Sequence, residues 1–444
     1  MKRSPVVRPV FLVAAAAGLA LAVSAALEYT PQEQLRIVPA KHLPAKHLPG
    51  KVHLLPATLE TTQWGWFDNA QPPVLRVSPG DTVVMETLMH SHNQIVPGTT
   101  IDEIKKLRTD NPGRGPHSVT GPIYVEGAAP GDVLSVKINK IVPRSYGTNF
   151  NVPGMFGEFP KDFADGQVKY FYLDWDRKVA EFAPGIEIPL RPFPGTIGVA
   201  RAEPGKYSTV PPGPFGGNMD IRELTEGTTL YVPVFVPGAL LWSGDSHAAQ
   251  GNGEVNLTAL ETAFKEFNVT LDVVKGKPLE WPRIRMKDAW ITMGYDKDLN
   301  KALEILKAET AKLLAEERRA TLDKALAAMA TLADCRVSEV VNLLKGVYCM
   351  VADPGKLKSL PPRPAAETPA ELVTTGTDPD LNKAMDTASM AMIGLLQEKK
   401  GLSRLDAYGL ASLAMDCRLG DMSDAKKSVH CLLPKSLWVG GAKN

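Results

Sequence analysis

The sequence predicts an α+β protein: a β-rich sandwich or barrel core, then a C-terminal α/β region containing an internal duplication. Most of the 37 glycines and 37 prolines lie before residue 280. There, short β-branched and aromatic runs alternate with turn residues, which is typical of β-rich folds. After residue 290, apolar residues recur at helical spacing, and one sequence pattern occurs twice.

The N-terminus has the features of a secretory signal peptide, which we predict to span residues 1–26. Met1-Lys2-Arg3 precedes an apolar run from Val10 to Ala22, and Val23-Ser24-Ala25 fits the small-x-small cleavage pattern. The run is too short for a comfortable membrane span, although an uncleaved anchor is the alternative. We therefore expect a periplasmic or secreted protein with no stable membrane span after cleavage. Residues 27–51 are expected to form a flexible leader.

Residues 52–285 are predicted to form the β-rich domain. Pro-Gly-Asp turns at 79–81 and 130–132 each lie between β-branched runs, a pattern that predicts hairpins. Pairs of this kind build sandwiches and barrels. The formal net charge of the whole chain is +1, so no basic field indicates a nucleic-acid partner.

The stretch 237–255 concentrates polar and ionisable residues. A run from Leu230 to Val236 reads as a buried strand and leads into it. Within ten residues then follow, spaced by glycines, Asp245, His247, Gln250, Asn252 and Glu254. An acid, an imidazole and a second acid on a glycine-rich loop are the components of a metal site or of a general acid/base site. A polar hairpin that turns at Gly-Asn-Gly is the alternative.

Other segments supply candidate partners for this stretch. Glu86 ends a predicted strand, and His90 and His92 follow it. His117 lies in a loop rich in Gly and Pro, and we favour it over the other two histidines, although a lone loop histidine is usually structural. Asn218 and Asp220 close another Gly/Pro-rich loop, where an ordinary Asx turn is an equal alternative.

The C-terminal region contains two similar segments. The sequence from Trp290 matches the sequence from Leu372 without a gap, and equivalent glycines lie 376 − 294 = 82 residues apart. We predict a first α/β repeat at 286–354, a Pro-rich linker at 355–370 and a second repeat at 371–444. Asp298 and Asp380 are expected helix caps. Both repeats are interpreted as scaffold or dimer surface.

Each repeat carries two cysteines 14 residues apart, and the four are Cys335, Cys349, Cys417 and Cys431. An even number of cysteines in an exported chain favours disulfides. Pairing within each repeat is the simplest arrangement, but all three connectivities stay open.

Several motifs, in one order, resemble the acetamidase/formamidase family of linear-amide hydrolases. They are the segments 115–128, 130–132, 216–220 and 244–254. The resemblance covers the chain from about His53 onward. It implies hydrolysis of a small amide such as formamide or acetamide to ammonia and a carboxylate, a divalent metal, a β-rich fold with 52–285 as the catalytic domain, and a homo-oligomer. The predicted signal peptide would place the protein outside the cytoplasm, which does not fit a simple role in assimilating such amides inside the cell.

An unactivated amide requires a strong nucleophile, and the chain offers no Gly-x-Ser-x-Gly elbow. The cysteines form a repeated pair pattern outside the motifs, which leaves metal-activated water. We expect zinc, given mixed nitrogen and oxygen ligands. The expected ligands, in decreasing order of preference, are Asp245 with His247, then Asp220 with His117, and then Glu86.

Glu254 is the expected general base, taking a proton from water and passing it to the leaving nitrogen. Asn218 and Thr120 are expected to orient the amide oxygen, with Gln250 as a further substrate-binding residue. Two alternatives stay open: a metal-dependent hydrolase of a different C–N substrate, such as a larger amide or an amidine, and a catalytically inactive binding protein on the same fold.

Overall fold

The computed structural model describes residues 50–356 and 360–439, which form 25 strands, six helices and one 3-10 turn (Lys435–Leu437). The predicted signal peptide and all but the last two residues of the predicted leader lie outside these ranges. The strands are β1 (Val52–Leu55), β2 (Thr62–Trp64), β3 (Trp66–Asp68), β4 (Leu75–Val77), β5 (Thr82–Met85), β6 (Ser118–Val125), β7 (Val133–Pro143), β8 (Tyr146–Phe150), β9 (Val168–Asp174), β10 (Val179–Ala183), β11 (Ile186–Pro189), β12 (Phe193–Val199), β13 (Lys206–Ser208), β14 (Gly216–Asn218), β15 (Thr229–Pro233), β16 (Leu241–Ala249), β17 (Leu260–Thr262), β18 (Phe264–Val274), β19 (Arg283–Arg285), β20 (Ala289–Asp296), β21 (Ala333–Val337), β22 (Lys345–Ala352), β23 (Glu371–Asp378), β24 (Asp416–Ser423) and β25 (Lys426–Pro434). The helices are α1 (His90–Asn93), α2 (Ile101–Thr109), α3 (Leu299–Arg318), α4 (Leu322–Leu332), α5 (Leu381–Lys400) and α6 (Arg404–Ala414).

Two large sheets organise these elements. The larger sheet has 12 strands in the order β1-β5-β18-β7-β15-β19-β20-β22-β21-β24-β25-β23. The smaller has 11 strands; its main path is β11-β10-β9-β8-β17-β16-β12-β14, and β6 joins it through β16 and carries β2 and β4. One apolar cluster contains buried side chains of both sheets, among them Val83, Phe267, Ile123 and Trp242. The sheet-rich α+β prediction is therefore confirmed at this level.

The two Pro-Gly-Asp turns do not close hairpins. β4 pairs in parallel with β6 in the smaller sheet, whereas β5 pairs with β1 and β18 in the larger sheet. β6 and β7 are likewise divided between the sheets. The hairpin prediction is wrong because each turn carries the chain from one sheet to the other: a local turn signal identifies a change of direction but not the partner strand.

The C-terminal elements extend the larger sheet. β19 pairs with β20, so the sheet continues across the predicted boundary at residue 285. α3 and α5 begin at Leu299 and Leu381, 82 residues apart, and Asp298 and Asp380 cap them as predicted. Asn382 Nδ2 donates to Asp298 at 2.7 Å, and Asn300 Nδ2 donates to Asp380 at 2.8 Å, so each helix start is tied to the other.

The disulfides join Cys335 to Cys349 and Cys417 to Cys431, which is the simplest of the three pairings. Each bond connects directly paired residues of neighbouring antiparallel strands. The described part of the predicted linker contains no helix or strand, and residues 357–359 lie outside the described range. None of the described helices combines the length and apolar character needed to cross a membrane.

Candidate metal centre

The core of the site lies on a strand rather than on the expected loop. Asp245 and His247 belong to β16, a strand whose nine residues are all buried, and the loop begins only at Gln250. Residues two apart on a strand face the same side, so these two side chains share one face. Asp245 has a φ of 50°, in the left-handed region that non-glycine residues rarely adopt. Asp220 (φ 48°) and Glu254 (φ 52°) share this uncommon conformation, and such outliers cluster at functional sites.

Three histidines converge on Asp245. His90 Nε2 lies 2.8 Å from Asp245 Oδ1, His247 Nε2 lies 3.4 Å from the same oxygen, and His117 Nε2 lies 3.7 Å from Oδ2. Glu261 completes the arrangement: its Oε2 is 3.1 Å from His90 Nε2 and 3.3 Å from His247 Nε2. All five residues are buried.

Together with Asp220 and Glu254, these five residues form three overlapping groups. Within each group the donor atoms lie close enough to one another to hold a metal ion. The groups are His90–His117–Asp245, Asp245–His247–Glu261 and Asp220–His247–Glu254. Four of the five predicted ligands and the predicted base are therefore brought together. The cluster also contains His90, a candidate partner over which the sequence favours His117, and Glu261, which is not among the predicted residues.

The position of Glu261 carried one signal, an isolated acid inside the apolar segment Ala259-Leu260-Glu261-Thr262-Ala263. Glutamate is rarely fully buried unless it is paired. β17 places Glu261 directly opposite His247 of β16, and this register is what brings it into the cluster.

The fifth predicted ligand, Glu86, belongs to none of these groups. Its Oε1 lies 3.8 Å from Arg144 Nη2. Burial raises its pKa to about 7, with Arg144 opposing the shift. Thr120, a predicted substrate residue, donates its hydroxyl proton to the Glu86 carbonyl at 2.7 Å and does not line the cavity described below.

The other two predicted substrate residues lie next to the cluster. Asn218 Oδ1 accepts a 2.6 Å hydrogen bond from Thr196, and its side chain lines the cavity. Gln250 Oε1 lies 2.9 Å from His247 Nδ1. Because this amide oxygen only accepts, the ring proton of His247 lies on Nδ1 and its Nε2 faces Asp245 and Glu261. Gln250 thus orients a candidate ligand.

His117 is oriented in the same way. Its Nδ1 lies 3.2 Å from the Thr209 carbonyl oxygen and 3.1 Å from the Thr209 hydroxyl oxygen. When Nδ1 donates its proton to the carbonyl, which can only accept, Nε2 keeps a free lone pair toward Asp245. An imidazole whose other nitrogen donates to a carbonyl is the usual arrangement of a metal-binding histidine. Burial lowers the pKa of His117 to about 4, so its ring is neutral at pH 7, the form that binds metals.

Gly195 of β12 packs so closely against the cluster that there is no room for a side chain at this position. A β carbon at this position would lie 2.5 Å from His247 Cε1, 2.7 Å from Asp220 Oδ1 and 2.8 Å from Asp245 Oδ2. The absence of a side chain on β12 therefore lets these three groups approach the strand.

The charge balance of the cluster favours a cation. Four buried carboxylates, those of Asp220, Asp245, Glu254 and Glu261, face three imidazoles, and within residues 50–356 and 360–439 no Lys or Arg forms an ion pair with any of the four. Burial alone would lower the pKa of His90, yet the charges of Glu261 and Asp245 raise it to about 9. The acids thus attract positive charge strongly enough to overcome the cost of burial.

The carboxyl groups differ in their preferred protonation state. Burial opposes the ionisation of Glu261, but His247 and His90 lower its pKa to about 2. Burial, together with the nearby Asp220 carboxylate, raises the pKa of Glu254 well above its usual range. Environments that separate the pKa values of neighbouring acids also separate their roles.

The donor set fits a divalent metal. Asp220 Oδ1, His247 Nε2 and Glu261 Oε2 are buried and, although His247 Nε2 and Glu261 Oε2 lie 3.3 Å apart, none of the three forms a hydrogen bond with the described chain. Buried polar atoms without a hydrogen bond are costly, so a group that satisfies several at once is expected at such a point. Imidazole nitrogens mixed with carboxylate oxygens suit zinc and related ions.

The cluster opens into a cavity of about 280 Å³. Asp245, Glu254 and Glu261 contribute to its wall, and apolar side chains cover much of the rest: Phe150, Val152, Phe156, Val210, Leu257, Val341 and Leu343. Asn342 Nδ2, from the first C-terminal repeat, donates to Asp220 Oδ2 at 2.5 Å. The repeat interpreted as scaffold therefore also closes the site.

The sequence matches the model of the Acetamidase/Formamidase family over residues 59–206 and 201–288. The chain is 28% identical to the acetamidase of Mycolicibacterium smegmatis over 265 residues, 46% of this chain and 64% of that protein. It is 26% identical to the formamidase of Methylophilus methylotrophus over 246 residues, 43% of this chain and 59% of that protein. The matches thus span less than two thirds of either relative.

The fold is similar to that of a solved structure described as a predicted acetamidase/formamidase from the thermophile Thermoanaerobacter tengcongensis. The TM-score is 0.62 at 30% sequence identity, and the match covers 68% of this chain and 96% of that one. The similarity therefore includes almost the whole of the solved protein, while about a third of the present chain lies outside it.

Proposed function

The chain belongs to the acetamidase/formamidase family, and we propose that it hydrolyses the C–N bond of small linear amides, formamide- or acetamide-like, to a carboxylate and ammonia. The observation that carries this proposal is the buried cluster of acids and imidazoles that opens into a cavity beside Glu254. An inactive binding protein on the same fold would need no acid with a raised pKa in the cavity that the neutral His117 also lines.

We further propose a divalent metal ion, zinc, as the cofactor. The residues that would hold it come from the three groups: Asp245 and His247 each belong to two of them, and Asp220, His90, His117 and Glu261 lie beside them. When bound, such an ion would lower the pKa of a water molecule and polarise the amide carbonyl. Glu86 is not retained in this proposed set, because its carboxylate faces Arg144 instead.

Glu254 is proposed as the general base and acid. Its carboxyl group lines the cavity, is 3% exposed and has a raised pKa, so it holds a proton more readily than an ordinary glutamate. It takes a proton from the attacking water and delivers it to the amide nitrogen as the C–N bond breaks. We propose that Asn218, which lines the cavity and accepts a hydrogen bond from Thr196, orients the amide; these two contacts support that role.

Other features remain proposals. We propose export to the periplasm or secretion, supported by the two disulfides, which persist in oxidising compartments. The matching 82-residue spacing of α3 and α5 supports a duplicated C-terminal unit. A homo-oligomer is proposed from the family resemblance, and sedimentation analysis would test it.

Removal of metal tests the proposed chemistry. The purified protein is assayed for ammonia release from formamide, acetamide and longer amides, before and after exhaustive chelation, and after zinc is returned. We expect release to fall at least about a hundredfold on chelation and to recover with zinc, because the nucleophile depends on the ion. Ammonia release that survives complete removal of metal would refute the proposal.

A further inference from the structure

The cavity wall carries two guanidinium groups in addition to the acidic cluster. Arg108 of α2 and Arg114 of the following loop both line it. Each is fixed by a neutral group: Arg108 Nη2 donates to Ser91 Oγ at 2.6 Å, and Arg114 lies over the Trp64 ring at 4.5 Å. Both side chains are therefore held in place without charge compensation.

Neither arginine is paired with a carboxylate in the described chain. Two acidic residues in and just after α2 interact with lysines instead: Asp102 lies near Lys105, and Asp110 bonds Lys106. Burial alone lowers the pKa of Arg108 to about 10, with no acid opposing the shift. The acidic cluster and the two cations thus line the same cavity. A partly buried cation without a counter-ion is costly, which indicates that something anionic completes the site.

The cavity is also large for the smallest amides. At about 280 Å³ it approaches the lower limit of pockets that enclose drug-sized ligands, roughly 300 Å³. Formamide and acetamide have only three and four heavy atoms and would leave most of this space to water. The apolar side chains of Phe150, Val152 and Leu257 would instead contact a short hydrocarbon segment.

We propose that the substrate is an amide that carries a carboxylate at its other end, separated from the amide by a short carbon chain. The amide carbon lies at the acidic cluster, and the carboxylate binds Arg108 and Arg114. A guanidinium matches a planar carboxylate with two parallel hydrogen bonds. A carboxylate is favoured over a phosphate because the four acids nearby disfavour a second negative charge. This inference rests on the proposed amide hydrolysis.

The reaction balances as R–CO–NH₂ + H₂O → R–COO⁻ + NH₄⁺. The C–N bond breaks, a C–O bond forms, and the nitrogen leaves with protons from water. With an anionic amide such as succinamate, the monoamide of a four-carbon diacid, the product is the diacid itself. No oxidant or further reactant is required.

The test compares succinamate with butanamide, which has a methyl group in place of the carboxylate. The readout is the ratio of their kcat/KM values in the metal-loaded enzyme. A hydrogen bond to a charged group typically strengthens binding about tenfold or more, so we expect the wild-type ratio to favour succinamate at least about tenfold. Arg108→Gln and Arg114→Gln should each lower this ratio about tenfold or more, mainly through KM.

Arg201→Gln is the matched control. Arg201 likewise lies over an aromatic ring, that of Tyr207 at 4.2 Å, but does not line this cavity, so the ratio should stay at its wild-type value. A ratio near one in the wild type, or ratios unchanged in both arginine variants, would overturn the inference while leaving amide hydrolysis intact.

If the metal-loaded protein releases no ammonia from any amide, the proposed function fails, and binding then decides the inference. Calorimetry with succinamate should show binding to the wild-type protein that is at least about tenfold weaker in Arg114→Gln. Absence of binding to the wild type, or equal binding to the variant, would overturn it.

Discussion

Replacing Gly195 with alanine tests whether the cluster depends on the close approach of its side chains to β12. The new β carbon would lie 2.5 Å from His247 Cε1, whereas ordinary contacts begin at 3.4 Å, so the ring is short of space by 3.4 − 2.5 = 0.9 Å. Asp220 and Asp245 are also too close, at 2.7 and 2.8 Å. The backbone of Gly195 does not adopt positive φ. The substitution is therefore opposed by these steric contacts and not by backbone strain.

The expected effect follows from these distances. A functional site tolerates displacements of only about 0.5 Å, and the ring must move by more than that or the strand must shift. Disturbing the groups that orient metal ligands typically reduces affinity about 10- to 100-fold. This corresponds to about 1.4–2.8 kcal/mol of binding free energy.

The assay is a competitive titration of zinc against a chromophoric chelator, with circular dichroism to verify folding. Gly394→Ala is the control, since Gly394 lies in α5 with nothing within 4 Å of the added β carbon; it should leave zinc affinity unchanged. If folded Gly195→Ala binds zinc as tightly as the wild type, the ion does not lie among His247, Asp220 and Asp245.

Two further predictions concern stability. Burial and the neighbouring Asp386 raise the pKa of Glu158 well above its usual range, so ionisation of Glu158 destabilises the folded state as pH rises above about 4.5. The Glu158→Gln variant should therefore unfold at a higher urea concentration than wild type at pH 8. A gain in stability that is equal at pH 4 and pH 8 would contradict this reasoning. Replacing both Cys417 and Cys431 with serine removes the cross-link that closes a short loop, and should lower the free energy of unfolding by about 2–4 kcal/mol. Denaturant titration measures this change, with reduced wild-type protein as the comparison. An unchanged free energy of unfolding would show that the cross-link contributes nothing to stability.

The sequence is most informative where chemistry and local structure coincide. Asp245, His247 and Glu254 stand out because ionisable groups follow a buried strand beside glycines. Asp298 and Asp380 stand out as caps because N-cap preferences act over a few residues. Each of these signals lies within a single short segment, and the structure places all five residues in or beside the expected features.

Long-range pairing is what the local pattern does not contain. Glu261 reaches the cluster only because β17 pairs with β16 in a register that places it opposite His247. His90 belongs to α1, a short turn whose next two residues, Ser91 and His92, have left-handed backbone, and no rule of spacing points its ring toward Asp245. The Pro-Gly-Asp turns show the same limit, since they mark where strands end but not which sheet receives the next one.

Metal content and turnover, measured together in Glu254→Gln, show directly whether Glu254 moves the proton in metal-dependent amide hydrolysis. Glutamine keeps the size of the side chain but cannot accept the proton, and general acid–base catalysis typically contributes about 10²–10⁴-fold. Glu158→Gln, a change of the same kind outside the cavity, serves as the control for turnover. We predict that Glu254→Gln binds zinc in the wild-type amount and releases ammonia at least about a hundredfold more slowly. Wild-type rates from this zinc-loaded variant would contradict the assignment.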